Sequence, residues 1–211
     1  GRQIAIAAIA NDGDDHRIAH LPGQAQGHRH GAAGGNAGED AFLARQDIDA
    51  VAVLTPSGMH PAHVIACAKA GKHAIVEKPM ALRLQDADDM IRACDKAGVK
   101  LFVVKQNRFN VPVVKAREAL EAGRFGRLIL GTVRVRWCRD QAYYDQDAWR
   151  GTWAYDGGVL SNQASHHVDM LEWFFGDVVS VHARAVTALA KIEAEDTAVA
   201  IEVSSSSLAR D

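Results

Sequence analysis

From Asp49 onward, apolar positions along the chain follow two alternating rhythms. Residues 50–55 form an almost continuous apolar run rich in Val, cut off by Pro56-Ser57-Gly58, the pattern of a parallel strand buried on both faces. Pro61 can open a helix at its first position, Val64, Ile65 and Ala68 then share one face, and Gly71 stands where a left-handed residue ends a helix. Residues 73–76 read as the next strand. Ala87, Ile91 and Cys94 predict a second helix, with Asp86, Asp88 and Asp89 near its amino end and Gly98 after it. A third strand follows over 101–104.

Strand, helix, strand, helix, strand at this spacing is a βαβαβ unit, whose ligands sit beyond the carboxyl ends of the strands. Thr55, Glu77 and Lys105 fall at such ends. Beyond Gln106 the rhythm changes. Val113, Arg117 and Leu120 predict a helix closed by Gly123, and over 132–137 Thr, Arg and Arg alternate with Val, Val and Trp in strand fashion. Strands over about 178–186 and 197–203, flanking a helix over 166–175, predict an open sheet. The expected fold is therefore α/β over 1–106, with a partial parallel sheet, followed over 107–211 by an α+β domain with an open, mostly antiparallel sheet.

The first 48 residues differ in kind. They hold 8 of the 18 Gly and 4 of the 10 His, and no convincing strand or amphipathic helix is legible between Asn11 and Gln46. His16, His20, His28 and His30 have no ordered scaffold that would make them a metal site, so none is expected.

Composition narrows the function classes. A chain of 211 residues with 48% apolar and 24% charged residues can bury a core, and its formal net charge of -2 favours neither a nucleic-acid nor a membrane-surface partner. No apolar run reaches the roughly 18 to 20 residues of a membrane span, and a cytoplasmic location is expected. Cys67, Cys94 and Cys138 are far apart with no CxxC pair, which suits reduced, packed thiols.

Two segments carry candidate chemistry. Glu77-Lys78-Pro79 follows a predicted strand, so Lys78 should project at the carboxyl edge of the sheet. The segment 156–169 is a Gly-Gly turn leading into a polar helix, on which His166 and Asp169, three residues apart, share a face. The carboxylate could orient the imidazole there, while His167 points elsewhere.

These motifs, in this order, resemble the Gfo/Idh/MocA oxidoreductase family over about 49–203. The family pairs Glu-Lys-Pro with Gly-Gly-x-x-x-Asp-x-x-x-His-x-x-Asp; here the last two are His166 and Asp169, and Asn162 stands at the earlier acidic position. Gln106-Asn107-Arg108-Phe109-Asn110, Tyr143-Tyr144-Asp145-Gln146, Trp149-Arg150-Gly151-Thr152-Trp153 and Asn162-Gln163-Ala164-Ser165-His166-His167 resemble the branch that oxidises carbon 3 of UDP-N-acetylglucosamine or its uronate.

The resemblance implies an NAD(P)-dependent dehydrogenase, NAD favoured, with His166 as the base for the hydroxyl proton and Lys78 as the cation steadying the same oxygen. It implies Thr55, Pro56, Ser57, His60, Glu77, Lys78 and Gln106 along the cofactor. On the substrate side it implies Lys78, Arg108, Tyr144, Trp149, Arg150, Asn162, His166 and Asp169, and, for full-length members, a homo-oligomer. Within the family a cis peptide often precedes the Pro of Glu-Lys-Pro.

One part of the family pattern is missing. No G-x-G-x-x-G turn is present, nor an acidic residue about 20 positions after one. Gly1-Arg2 could be the tail of that turn, with 4–9 in the helix behind it. The chain is thus expected to be incomplete at both ends, with a catalytically dead fragment, or a dehydrogenase of a free sugar or inositol, as alternatives.

Overall fold

The computed structural model describes residues 6–12, 15–20, 29–31 and 37–204. The chain divides into two compact units, 1–104 with 154–156, and 105–153 with 157–211.

The first unit is built on a six-stranded sheet of order β3-β2-β1-β4-β5-β6, with β1 Ile6–Asp12, β2 Asp15–His20, β3 Arg29–Gly31, β4 Ala50–Leu54, β5 His73–Val76 and β6 Leu101–Val103. β1, β4, β5 and β6 run parallel, whereas β2 and β3 extend the sheet antiparallel. Helices α1 Ala37–Leu43, α2 His60–Lys69 and α3 Leu84–Ala97 complete the unit.

Val51, Val53, Ala74 and Val76 are fully buried, together with Val64 and Cys67 of α2 and Met90 of α3. That is the outcome expected of apolar runs covered on both faces. Burial pushes the Cys67 thiol up to about 12 and also raises that of Cys94, so both pack as small apolar groups. Gly98 ends α3 in the left-handed conformation, φ 67°. The buried Lys72 ammonium donates to the carbonyls of Arg45 at 2.6 Å and Ile48 at 2.9 Å, tying the segment before β4 to the start of β5.

Several expectations change here. Ile6–Ile9 lie in strand β1 rather than in a helix, while Gly1, Arg2 and Ile4 lie outside the described residues. Strands and a short helix occupy part of 11–46, where none was legible. On α3 the buried stripe is Met90 and Cys94, and Ile91 is 46% exposed, because the helix is rotated slightly from the face first read. Cys138 is exposed. His28 lies outside the described residues, and among those described no group of His, Cys, Asp or Glu could hold a metal ion.

The second unit holds a 3-10 turn Gln106–Phe109, helices α4 Val111–Glu121, α5 Gln141–Tyr144 and α6 Ser165–Phe175, and an antiparallel pair β7 Val178–Val186 and β8 Thr197–Ser204. Residues 132–137 alternate as a strand would but join no ladder, since among the described residues the sheet consists of β7 and β8 alone. Alternation marks two faces, and a strand also needs a hydrogen-bonded neighbour. Asp196 closes the β7–β8 connection. Burial opposes its charge, but the amides of Ala188, Ala190 and Leu189 and the Thr197 hydroxyl donate to the carboxylate and hold its pKa at about 2. No helix among the described residues is long and apolar enough to cross a membrane.

Candidate active site

In the first unit the candidate residues gather where β4 and β5 end. Glu77 N–H donates to Val53 O at 3.0 Å, a rung that joins the two strand ends. Past it, one chain enters Thr55-Pro56 and the 3-10 turn Ser57–Met59, while the other enters Glu77-Lys78-Pro79, whose Lys78–Pro79 peptide is cis. The Glu77 carboxylate accepts from its neighbour Lys78 N–H at 3.1 Å. Thr55 is buried, and its Oγ1 has no hydrogen-bond partner among the described residues. Gly58 N–H donates to Tyr155 O at 3.0 Å, and a Cβ on Gly58 would meet Ala154 O at 1.9 Å, so only glycine permits this approach. His60 lies beneath this edge, 1% exposed, with both ring nitrogens on backbone carbonyls: Nδ1 is 2.8 Å from Pro79 O and Nε2 is 2.8 Å from Thr55 O.

In the second unit the chemistry centres on α6. His166 and Asp169 are both buried, one turn apart on the helix. Three side chains of the 105–108 segment reach them. Gln106 Nε2 lies 3.3 Å from His166 Nε2, a separation at which the amide can donate to an unprotonated ring nitrogen. Arg108 grips Asp169 in a two-pronged pair, Nε to Oδ2 and Nη2 to Oδ1, each 2.7 Å, and Lys105 Nζ stands 3.3 Å from Oδ1.

The sequence expectation paired Asp169 with His166. The observed partners of the carboxylate are Arg108 and Lys105, and the guanidinium read as a substrate grip is committed to Asp169. Lys105 entered the sequence reading only as a strand end. The available signal was its spacing: two cations three residues apart face an acid from one turn of helix.

Burial opposes the charge on Asp169, but the Arg108 hydrogen bonds and the nearby charges of Lys105 and Arg108 outweigh it and hold the carboxyl below its ordinary range. The sign follows. The cluster stabilises the fold above the ordinary carboxylate pKa of about 4, and that contribution is lost as pH falls through the depressed value. Asp169→Asn is expected to lower Tm at neutral pH and to flatten the acid limb of the Tm-against-pH curve below about pH 4. Differential scanning fluorimetry across that range checks this; curves that stay parallel contradict it.

A second polar group surrounds Tyr143. The guanidiniums of Arg139 and Arg150 stand 4.8 and 4.6 Å from its ring centre, Arg150 is also 4.8 Å from the Trp149 ring, and Gln163 Nε2 lies 3.3 Å from the Tyr143 hydroxyl. Arg150 pairs with Asp147 at 2.8 Å. Tyr144, expected on the substrate, is buried and meets Tyr143 edge to face at 5.1 Å. Arg139 was not singled out from the sequence, and Tyr143 entered only within the Tyr143-Tyr144-Asp145-Gln146 motif.

Ahead of α6, the Gly157-Gly158 turn brings backbone close to a carboxylate of the chain itself. A Cβ on Gly158 would lie 1.6 Å from Glu195 Oε2, and Glu195 Oε1 accepts from Leu160 N–H at 3.2 Å. Asn162 N–H donates to Gly158 O at 2.9 Å, completing the turn before the helix.

A buried, unsatisfied hydroxyl at the carboxyl end of a parallel strand, next to Ser57 and Glu77, fits the nicotinamide-ribose half of a dinucleotide. The pyrophosphate half fits less well, because β1 is followed by an antiparallel strand where the phosphate-binding pattern calls for a helix.

Comparison with known proteins identifies both halves of the chain. Residues 28–105 match the model of the oxidoreductase family with an NAD-binding Rossmann fold, and 113–205 match the GFO/IDH/MocA C-terminal domain. The solved WlbA dehydrogenase of Bordetella pertussis, in complex with NADH and UDP-GlcNAcA, is 51% identical with a TM-score of 0.77, over 79% of this chain and 48% of that one. The corresponding enzyme of Chromobacterium violaceum, with the same two ligands, is 47% identical with a TM-score of 0.77 over the same shares. Myo-inositol 2-dehydrogenase of Thermotoga maritima is 37% identical over 133 residues, 63% of this chain and 38% of that protein. The chain thus spans about half the length of these solved relatives and just over a third of this curated one. With two family models covering most of its length in the family's order, the chain belongs to the Gfo/Idh/MocA family of NAD-binding oxidoreductases.

Proposed function

We propose that the protein oxidises a secondary hydroxyl of a sugar nucleotide, carbon 3 of UDP-N-acetylglucosamine or of its uronate. The observation that carries this reading is the buried cluster on α6, in which His166 meets Gln106 while Asp169 is balanced by Arg108 and Lys105. An imidazole that accepts the Gln106 N–H at Nε2 is neutral, the form a base needs before it takes a hydroxyl proton. By resemblance, Lys78 steadies the oxygen as it gains negative charge. Nicotinamide, when bound, supplies the acceptor for the hydride. Thr55, Ser57 and Glu77 are the residues that would hold its ribose end. The sugar-nucleotide class is supported by the two solved relatives and by the cations and rings around Tyr143 and Trp149, which suit a charged, planar ligand.

A second reading has its own observation: with β2 following β1, the chain would keep the substrate residues without gripping a dinucleotide. Calorimetric titration with NAD, followed by NADH absorbance with the uronate, UDP-N-acetylglucosamine and myo-inositol, separates the two. NAD binding with turnover of a UDP-sugar is the expected result. Turnover of inositol alone overturns the substrate, and absence of NAD binding at millimolar concentration favours the second reading.

A further inference from the structure

His60 opens α2 with its side chain 1% exposed, and its ring bridges the ends of two neighbouring parallel strands. Nε2 stands 2.8 Å from the carbonyl of Thr55, just past β4, and Nδ1 stands 2.8 Å from the carbonyl of Pro79, just past β5. A carbonyl only accepts, so a hydrogen bond at either contact calls for an N–H from the ring; the neutral imidazole has one and gives it to one carbonyl at a time while the ring stays packed against the other. Beyond the Glu77-to-Val53 rung the two chains part, one toward Ser57 and the other through Lys78. One imidazole then holds both exits.

We propose that His60 is a positioning residue: by tying the Thr55 and Pro79 carbonyls through one ring, it sets the spacing between the Thr55-Ser57 loop and Lys78. It acts on cofactor and substrate through those residues, from below the edge. The proposal rests on the reading of Thr55 and Lys78 as reaction residues. Burial pushes the His60 pKa down and His63 adds to that, while the two carbonyls and Glu77 push it up. The net shift is downward, which favours the neutral ring between the two carbonyls.

His60→Phe keeps a ring of similar size and removes both ties; His60→Asn keeps an amide donor on a shorter side chain. In protein whose lysines carry ¹³C-methyl labels, the Lys78 signal is assigned by its loss in Lys78→Ala. That signal is expected to shift in His60→Phe and to shift less in His60→Asn, with unchanged far-UV circular dichroism. With the UDP-sugar as substrate, kcat of His60→Phe should fall on the order of 100-fold, as for a misplacement of about 1 Å, with KM within about two-fold. An unmoved Lys78 signal in folded His60→Phe overturns the proposal. If that variant does not fold, an unmoved signal in His60→Asn overturns it equally. Wild-type protein without turnover but with the Lys78 shift refutes the proposed function and leaves the tie standing.

Discussion

Replacing His166 with asparagine is expected to lower kcat by about 10²- to 10⁴-fold, the range for loss of a positioned general base, with little change in the fold. The substitution gives up the Gln106 contact at Nε2, but the Asp169 pairs with Arg108 and Lys105 do not pass through residue 166. What asparagine cannot do is take the hydroxyl proton. Lys78→Ala should cost about 10²- to 10³-fold, as when one stabilising donor is removed from a developing oxyanion. The double variant should be hardly worse than His166→Asn, because groups that serve one step are not additive. Steady-state rates at saturating NAD check this. Near-normal turnover in both single variants ends the assignment of the pair.

The second large effect is on stability. Gly58→Ala places a methyl group 1.9 Å from the Ala154 carbonyl oxygen and 2.8 Å from Tyr155 Cα, where Gly58 N–H also donates to Tyr155 O. The obstacle is backbone and cannot swing aside, so the loop must move. A cost of about 3 kcal/mol or more follows, at or beyond the upper end for overpacked sites, and Tm should fall by about 6–12 °C for a chain of this size. Gly126→Ala is the control: its φ of 58° strains any side chain, but its surroundings are open. It should cost about 1–2 kcal/mol. If the two variants melt together, the packing account of Gly58 is wrong.

The regular part of the fold was legible because its periods are strong. Val51 and Val53 announce a buried strand, Pro61 and Gly71 bracket a helix, and the placement of 178–186 matches β7. Ile6–Ile9, expected in a helix, lie in a strand because a short apolar run has the same appearance in either, and the pairing with β4 is set by residues more than 40 positions away. Residues 132–137 failed for the opposite reason: the local alternation is clear, and the missing term is a neighbour. At the site, Lys78, His166 and Asp169 were legible as residue types at motif spacing. The partners were not, because Arg108 reaches Asp169 across 61 positions and His60 meets Pro79 across 19. Such pairings are products of the fold, which one-dimensional spacing does not encode.

The proposed function is hydride removal from a sugar-nucleotide hydroxyl, and the family assignment and the α6 cluster are what support it. The most direct test uses UDP-N-acetylglucosaminuronate carrying deuterium at carbon 3, incubated with the protein and NAD, with the nicotinamide recovered for mass spectrometry. NADH heavier by one deuterium is expected from wild-type protein, and from His166→Asn only at a rate lower by about 10²-fold or more. NADH without deuterium, or deuterium transfer that survives the loss of His166 undiminished, would contradict the proposed function.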